Sequence, residues 1–263
     1  MSEGQGREPL VQIEDRSRKI GHVVAVMSGK GGVGKSTITA LSALGLARRG
    51  RTVGILDADI TGPSIPKMFG LKPGSALEKS EGQLRPVKTG AGLEVMSLNL
   101  LLAHEDDPVI WRGPLIAGAV KQFWNDVTWG ELDYLMVDLP PGTGDVPLTV
   151  MQSLPLEGAV IVSSPQELAG MVVKKAMRMA SAMHVKILGI VENMSYAVCP
   201  DCGERLEVFG PSHLEETARD FGIAALGRLP LNPELVSLCD QGRIEEYRGD
   251  ELNSVVEALE ALA

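Results

Sequence analysis

The sequence predicts one α/β domain, with a mostly parallel sheet that is covered by helices on both faces. Short apolar segments rich in Val, Ile and Leu alternate with helical patterns, and several of these segments lack a polar face. Strands that are apolar on both sides are typical of a parallel sheet buried between two layers of helices. The chain has 263 residues, 44% of them hydrophobic, which suffices for one large core.

The predicted elements follow one another in a regular order. Residues 35–50 and 167–183 have the apolar spacing of helices, and residues 250–263 predict an amphipathic helix with an acidic polar face. Residues 84–100 predict a hairpin at one edge of the sheet. Ligands of such sheets bind at the carboxyl ends of the strands, so the side chains there are the candidate site. The predicted strands are 22–29, 51–59, 93–100, 134–142, 158–165, 185–195 and 224–231.

The N-terminal segment, residues 1–20, is polar and mixed in charge, and it lacks the apolar core of a signal peptide. We therefore expect a flexible tail, followed by one domain over residues 21–263 with a cysteine-bearing loop near residues 196–209. No apolar run approaches the roughly 18 residues that a membrane-spanning helix needs.

Charge and cysteine content exclude several classes of protein. The net charge is −9 and no Lys/Arg cluster occurs, which argues against nucleic-acid binding because that binding depends on cationic groups. The acidic face of the predicted C-terminal helix argues against binding to a membrane surface, where Lys and Arg are usual. Three cysteines are too few for a disulfide framework. These features favour a protein of the reducing cytoplasm.

Residues 28–37, SGKGGVGKST, join the first predicted strand to the first predicted helix. They match the pattern G-x-x-x-x-G-K-[ST], in which backbone N–H groups and a helix N-terminus surround phosphate oxygens. Lys35 would hold the β- and γ-phosphates of ATP or ADP, and the Ser36 hydroxyl would bind Mg²⁺. The alternative, a glycine-rich turn with an incidental lysine, is disfavoured by the strand–loop–helix context. The residues expected around the nucleotide are Gly29, Lys30, Gly31, Gly32, Val33, Gly34, Lys35, Ser36 and Thr37.

Acidic residues follow two other predicted strands. Asp57 and Asp59 are two apart, so on a strand both carboxylates would point toward the phosphate loop. Asp138 ends an apolar segment, where it would hold Mg²⁺ through water, and the nearby Gly142 would offer its N–H to the γ-phosphate. The alternative role for an acid at a strand end is a helix N-cap.

Cys199 and Cys202 form a single Cys-x-x-Cys pair in the segment YAVCPDCGERLEVFG. Thiolate sites for zinc or iron–sulfur clusters usually have four protein ligands, so this pair is half a site. A thioredoxin-like redox pair is disfavoured because CPDC does not open a helix after a strand. Cys239 has helical apolar neighbours and is predicted to be a packing residue.

Seven motifs together make the chain resemble the Mrp/ApbC-type iron–sulfur cluster carrier ATPases, a branch of the MinD/ParA class of P-loop proteins. The resemblance extends from about Gly21 to the C-terminal helix, and no single motif would suffice for it. The motifs are GKGGVGKST, DADITGPS, WRGP, VDLPPGTGD, VENMSY, CPDCG and the stretch from FGPS to RLPL.

The resemblance implies an ATP-dependent homodimer that holds a labile [4Fe–4S] cluster and passes it to apo iron–sulfur proteins. It implies that Lys30 reaches the nucleotide of the partner subunit, although a solvated loop lysine is the alternative for this residue. Asp57 would bind Mg²⁺ through water and Asp59 would orient or deprotonate the attacking water. Asn193 and Pro230 would belong to the adenine pocket, for which the residues alone support only turn-forming roles.

In this interpretation, the missing half of the thiolate site lies in a second copy of the chain, related by a twofold axis beside the CPDC loop. Zinc remains an alternative to the cluster, because it also accepts four thiolates. Three other functions of the class fit less well. A DNA-partitioning ATPase should have a basic surface, and a cell-division positioning ATPase should have a basic C-terminal helix. A nitrogenase-reductase-like electron donor should have cysteines spaced far apart, one of them near VDLPPGTGD.

Overall fold

The computed structural model of the chain describes residues 20–59, 62, 64–75, 84–102, 113–168 and 171–263. The tail predicted over residues 1–20 therefore lies outside the described residues, except for Ile20, which begins the first strand. Trp111 and Arg112 of the WRGP motif lie outside them as well, as do Ile60, Thr61 and Pro63 of DADITGPS.

Within the described residues, nine strands form one sheet in the order β3-β4-β2-β5-β1-β6-β7, and β7 pairs with both β8 and β9. Seven of the strands are parallel, while β3 and β8 run antiparallel to their neighbours. The strands are β1 (Ile20–Ser28), β2 (Val53–Asp57), β3 (Val87–Lys88), β4 (Glu94–Ser97), β5 (Leu132–Asp138), β6 (Gly158–Ser163), β7 (Lys186–Val198), β8 (Arg205–Leu206) and β9 (Ala225–Leu231).

The middle of the sheet is buried on both faces. Every residue of β2 and β6 is buried, and so are the last six residues of β1, which lies between β5 and β6. Side chains alternate between the two faces of a strand, so an entirely buried strand requires cover on both sides. The predicted fold class is confirmed.

Helices supply that cover. The connection from β1 to β2 runs one way along the sheet and the connection from β6 to β7 runs the other way, so right-handed crossovers place their helices on opposite faces. No helix in the described part of the chain is long and apolar enough to cross a membrane. The α-helices are α1 (Lys35–Arg48), α2 (Ile65–Met68), α3 (Gly113–Asp126), α4 (Asp145–Ser153), α5 (Pro165–Leu168), α6 (Met171–Ala182), α7 (Leu214–Phe221), α8 (Pro233–Asp240) and α9 (Asn253–Glu260).

Most elements agree with the sequence predictions to within a few residues, including the edge hairpin, in which Val87 pairs with Val95. The segment predicted as a strand over 93–100 turns into a 3₁₀ helix at Leu98–Leu100. The main difference is β7, which was expected to end near Ser195 and continues to Val198. It can continue because new partners, β8 and β9, take up its backbone groups beyond the end of β6.

The arrangement at the end of β7 fixes the direction of the following hairpin. Ala197 pairs with Leu206 of β8 and also with Leu231 of β9, so β8 and β9 lie on opposite edges of β7. Since β9 is on the edge away from β6, β8 occupies the edge that β6 vacates. The hairpin is thus on the side of β7 that faces β1, the strand preceding the phosphate-loop motif.

Helix α9 packs closely on α1 at a glycine. A Cβ atom added to Gly45 would lie 2.5 Å from Cγ2 of the buried Val256. At the margin of the same contact, an Arg49 nitrogen lies 2.7 Å from an oxygen of Glu260. The C-terminal helix can approach α1 this closely because residue 45 has no side chain.

We therefore predict that Gly45→Ala lowers the free energy of unfolding by about 1–2 kcal/mol, since overpacking outweighs the gain in helix propensity. The matched control is Gly118→Ala in α3, where the added Cβ has no atom within 4 Å. It should raise the free energy of unfolding by about 0.5–1 kcal/mol. Urea denaturation measures both values, and the same sign for the two variants would contradict the packing described here.

Candidate functional site

The phosphate-loop motif forms a cavity at the carboxyl end of β1. The strand ends at Ser28, the loop turns over residues 29–34, and α1 begins at Lys35. The cavity has a volume of about 220 Å³. Its lining combines the loop with the segments that follow β2 and β5, and consists of Ser28, Lys30, Gly31, Gly32, Gly34, Lys35, Ser36, Thr37, Asp59, Gly62, Ser64, Met68 and Pro141.

The shape of the loop depends on Gly34. Its φ angle is 82°, a conformation that side chains disfavour, and an added Cβ would overlap the amide nitrogen of Asn193. The same Asn193 nitrogen donates a hydrogen bond of 2.9 Å to the carbonyl oxygen of Val33. The side chain of a residue on β7 therefore takes part in holding the loop from behind.

Lys35 is the buried cation of the cavity, with 5% of its side chain exposed. Its Nζ lies 2.9 Å from an Asp138 oxygen and 3.7 Å from an Asp59 oxygen. The first contact lacks the angles of a hydrogen bond and the second is too long for one, so Nζ has no hydrogen-bond partner among the described residues. Buried N–H donors usually have acceptors, so this ammonium fits a phosphate oxygen in the cavity.

Asp138 lies behind the cavity and is completely buried. Its two oxygens accept hydrogen bonds from the Ser36 hydroxyl at 2.5 Å and from the Thr39 hydroxyl at 2.8 Å. The carboxylate thereby fixes the orientation of Ser36, the residue expected to bind Mg²⁺. The N-cap alternative does not apply to Asp138, because the next helix, α4, begins seven residues later with Gly144 as its N-cap.

Asp57 is beside Asp138 in the adjacent strand and is also completely buried. It accepts hydrogen bonds of 3.2 Å from the Ser97 hydroxyl and from the backbone N–H of Asp59. Burial, followed by the neighbouring Asp138 carboxylate, raises the pKa of Asp57 well above its usual range, against the opposing effect of Lys35. Asp57 does not line the cavity, which differs from the expectation that both acids of β2 face the loop.

Asp59 is the acid that reaches the cavity. Strand β2 ends at Asp57, so Asp59 lies in the loop beyond it, with Oδ2 3.7 Å from Lys35 Nζ. It is not a helix N-cap either, since α2 starts at Ile65 after Ser64. Its place on the cavity wall is suitable for a group that orients a water molecule at a phosphate.

Gly142 is held against the first strand. Its backbone N–H donates a hydrogen bond of 3.0 Å to the carbonyl oxygen of Ser28. For this N–H to bind a γ-phosphate, as the sequence predicts, that hydrogen bond has to open. The neighbouring Pro141 lines the cavity.

Oxygen ligands for a divalent cation are present at the inner wall of the cavity. The Ser36 hydroxyl is at the cavity and the Asp138 and Asp57 carboxylates are behind it. Hydroxyl and carboxylate oxygens are the ligands that Mg²⁺ prefers, usually with several waters retained. The residues present thus fit Mg²⁺, with Ser36 as a direct ligand and the two carboxylates acting through water.

The two residues predicted for the adenine pocket lie outside the phosphate cavity. Asn193 lies within β7 rather than at its end, and the segment around it is irregular, with Met194 at a φ of 56°. Pro230 is on β9 and pairs with Tyr196. Their roles toward adenine remain predictions.

Cys199 and Cys202 lie in the turn between β7 and β8, which with its flanking residues 196–209 we call the cysteine hairpin. The Cys199 N–H donates to the Glu204 carbonyl and the Gly203 N–H donates to the Cys199 carbonyl, both at 2.9 Å. Backbone hydrogen bonds from Cys202 and Asp201 lower the pKa of the Cys199 thiol, because they stabilise the thiolate.

The three cysteines differ in their surroundings. Cys202 is exposed, and the described residues contain no group of three or more His, Cys, Asp or Glu side chains that could hold a metal. Cys239 is on α8, partly buried against the core, and burial raises the pKa of its thiol, as expected for a packing residue. The hairpin also exposes large apolar side chains, namely Val198, Leu206, Val208 and Phe209.

Two residues of the site are absent from the sequence predictions. Thr39 donates a hydrogen bond to Asp138. It could have been identified from the sequence because it lies one helical turn after Lys35, on the same face of α1. Ser97 binds Asp57, and it ends β4 beside the end of β2. A search for polar residues at every strand end would have found Ser97.

Comparison with known proteins identifies the family. The family model described as ParA, NUBPL iron-transfer P-loop NTPase, matches residues 19–263. Iron-sulfur cluster carrier proteins of Clostridium perfringens and Methanocaldococcus jannaschii are 49% and 46% identical to the chain, over 87% and 88% of it and 82% and 80% of their own lengths. The cytosolic Fe-S cluster assembly factor CFD1 of Chaetomium globosum is 43% identical, over 87% of this chain and 80% of its own length.

Solved structures agree with this result. A nucleotide-binding protein from Archaeoglobus fulgidus, solved in complex with ADP and with cobalt found in it, is 52% identical, with a TM-score of 0.78 over 88% of this chain and 90% of its own. The cell division ATPase MinD of Pyrococcus furiosus shares the fold, with a TM-score of 0.63 at 20% identity over 93% of this chain and all of its own. The resemblance inferred from the motifs is confirmed, and the chain belongs to the ParA family of NUBPL-type iron-transfer P-loop NTPases.

Proposed function

We propose that the chain is an ATP-hydrolysing carrier that binds a labile [4Fe–4S] cluster between two copies of itself and transfers it to apo iron–sulfur proteins. The observation that carries this proposal is the cysteine hairpin, which presents two thiols on the surface without a third ligand in the described structure. A carrier has to release its cargo, and a cluster held by two thiolates from each subunit is released when the subunits separate.

The relatives support this assignment of cargo. Those named as iron-sulfur cluster carriers match more than four fifths of this chain. Zinc would satisfy the same four thiolates, and the hydrogen bonds to Cys199 would favour either metal. The metal is therefore tested directly below.

Hydrolysis is assigned to the residues around the cavity. Lys35 binds the β- and γ-phosphates, Ser36 and the two buried carboxylates hold Mg²⁺, and Asp59 orients the attacking water. Mg²⁺, when bound, neutralises charge on the phosphate oxygens. Because Asp59 is in a loop and Gly142 is bonded to Ser28, the cavity needs rearrangement before reaction, and we expect slow turnover.

The homodimer would form across the face that carries both the phosphate loop and the cysteine hairpin. The hairpin is on the side of β7 that faces β1, and four large apolar side chains are exposed on it. Such a cluster is suited to a contact between subunits. Lys30 at the cavity wall would then act on the nucleotide of the partner.

We predict that Lys35→Ala weakens binding of ATP and ADP by at least about thirtyfold, because the phosphates lose a buried counter-charge. Asp59→Ala should retain binding and lower kcat by about 100-fold, since it removes the group that orients water. Calorimetric titration and phosphate release measure the two effects. The control is Asp220→Ala on the exposed end of α7, which should change neither. Parental turnover in Asp59→Ala would refute its assignment.

A second prediction concerns Lys30. Lys30→Ala should fold normally and bind nucleotide, yet lower kcat by about 100-fold, because a charge aimed at the partner's phosphates is lost. Mixing it with Asp59→Ala subunits creates heterodimers in which one site keeps Asp59 and receives Lys30 from the other subunit. Activity should therefore return on mixing. If heterodimers form, as shown by native mass measurement, and activity stays absent, Lys30 does not act across the dimer.

The third prediction tests the cargo. After anaerobic reconstitution with iron and sulfide, two chains should hold one [4Fe–4S] cluster, visible as broad thiolate-to-iron absorption and transferable to an apo-acceptor. Cys199→Ala or Cys202→Ala should remove the iron and weaken the dimer, whereas Cys239→Ala should do neither. Zinc alone under these conditions would refute the carrier function. A cluster on one chain that needs Cys239 would refute the shared site.

A further inference from the structure

The cysteine hairpin projects beyond the end of β6, and its first strand pairs with β9 only at Tyr196 and Ala197. Its two strands form the ladder pairs Ala197–Leu206 and Val198–Arg205, followed by the hydrogen bond from the Cys199 N–H to the Glu204 carbonyl. Ladders this short are marginally stable, so further contacts are needed to hold the hairpin in the direction that its pairing gives it. The orientation matters, because two thiols on one subunit have to meet two on another.

Arg228 of β9 makes contacts of this kind. Its Nε donates a hydrogen bond of 2.6 Å to the Ser195 hydroxyl of β7, and its Nη2 donates one of 3.1 Å to Glu207, which follows β8. The guanidinium carbon of Arg228 also lies 5.6 Å from the ring centre of Tyr196. The guanidinium carbon of Arg205, on β8, lies 4.4 Å from the same ring centre. One side chain thus connects β9, β7 and the segment after β8.

A second carboxylate, that of Glu192, lies near Arg228, and one of its oxygens accepts no hydrogen bond from the described residues. Glu192 is completely buried, accepts a hydrogen bond from Ser195 at Oε1, and has that oxygen 3.6 Å from Arg228 Nε. Its Oε2 has no hydrogen-bond partner among the described residues. A buried carboxylate oxygen without a donor is costly, and a forked guanidinium can satisfy both oxygens of one carboxylate.

Glu192 is also next to the residue that contacts the phosphate loop. Asn193 donates to the Val33 carbonyl and touches Gly34, so a change of the loop on nucleotide binding acts directly on this part of β7. The strand is irregular here, because its pairing with β9 shifts register between Glu192 and Tyr196. An irregular segment can change conformation without breaking a continuous ladder.

From these contacts we infer that Arg228 is a positioning residue for the cysteine hairpin, shared between Glu192 on the body and Glu207 on the hairpin. Nucleotide in the phosphate loop shifts the guanidinium between the two carboxylates and so turns the hairpin. The inference rests on the proposed function, for which it supplies a link between the nucleotide and the thiols. It concerns a conformational equilibrium within one subunit, so it can be tested separately from cargo binding.

The test measures alkylation of Cys202 by iodoacetamide in the reduced, metal-free full chain, with and without Mg²⁺ and a non-hydrolysable ATP analogue. Alkylation of Cys239 in the same sample serves as the internal reference. Light scattering is used to choose a protein concentration at which the molar mass of the protein is the same with and without the analogue, so that a change in oligomeric state does not affect the rate. In the parental chain the analogue should change the Cys202 rate by about fivefold. Arg228→Lys and Glu207→Gln should bring the ratio close to one while leaving affinity for the analogue within about twofold. Lysine keeps the charge but lacks the fork that bonds two segments at once.

The matched control is Glu204→Gln, which removes a negative charge from the same hairpin. The Glu204 side chain makes no ion pair in the part of the chain that the structure describes, so its variant should keep the parental ratio. The inference is overturned if Arg228→Lys and Glu207→Gln keep the parental ratio of Cys202 alkylation rates with and without the analogue. It is also overturned if the analogue does not change the Cys202 alkylation rate of the parental chain. Iron and sulfide per dimer are measured separately, so failure of the carrier function is distinguishable from failure of this link.

Discussion

The buried ammonium of Lys35 is the charge around which the site is organised. Asp138 contacts it at 2.9 Å and Asp59 at 3.7 Å, while Asp57 lies beside Asp138 in the sheet. Burial raises the pKa of Asp57, and the neighbouring Asp138 carboxylate adds to this effect while Lys35 opposes it. One lysine does not balance three carboxylates, so a further positive charge near them would be stabilised. The proposed Mg²⁺–nucleotide complex would bring such a charge to the cavity.

Strand β7 connects the phosphate loop to the cysteine hairpin. Asn193 contacts the phosphate loop, and Cys199 follows six residues later on the same strand and its turn. At about 3.3 Å per residue, the separation along the strand is roughly 20 Å. No domain boundary or linker lies between the two positions. Of the residues between these positions, Tyr196, Ala197 and Val198 pair with neighbouring strands, so the segment after Ser195 is held in the sheet.

The features that local sequence determines were predictable, and those that depend on distant partners were not. The apolar runs identified the parallel sheet, and the glycine pattern identified the loop that ends in Lys35. The extension of β7 to Val198 was missed because it depends on β8 and β9, which replace β6 as partners. The depth of Asp57 was missed for a similar reason, since its burial comes from β4 and β5 rather than from its own neighbours in sequence.

The order of strands in the sheet has a consequence for biosynthesis. The first strand pairs with β5 and β6, so Ile20 meets Leu132 and Val24 meets Gly158 only after more than half of the chain has been made. Until then the leading strand, which is apolar on both faces, has no neighbours and is prone to aggregate, and its long-range pairing folds slowly. The cysteine hairpin is translated later still. Asn193, which holds the phosphate loop from behind, precedes Cys199 by only six residues, so the loop gains this support at nearly the same point of synthesis as the thiols.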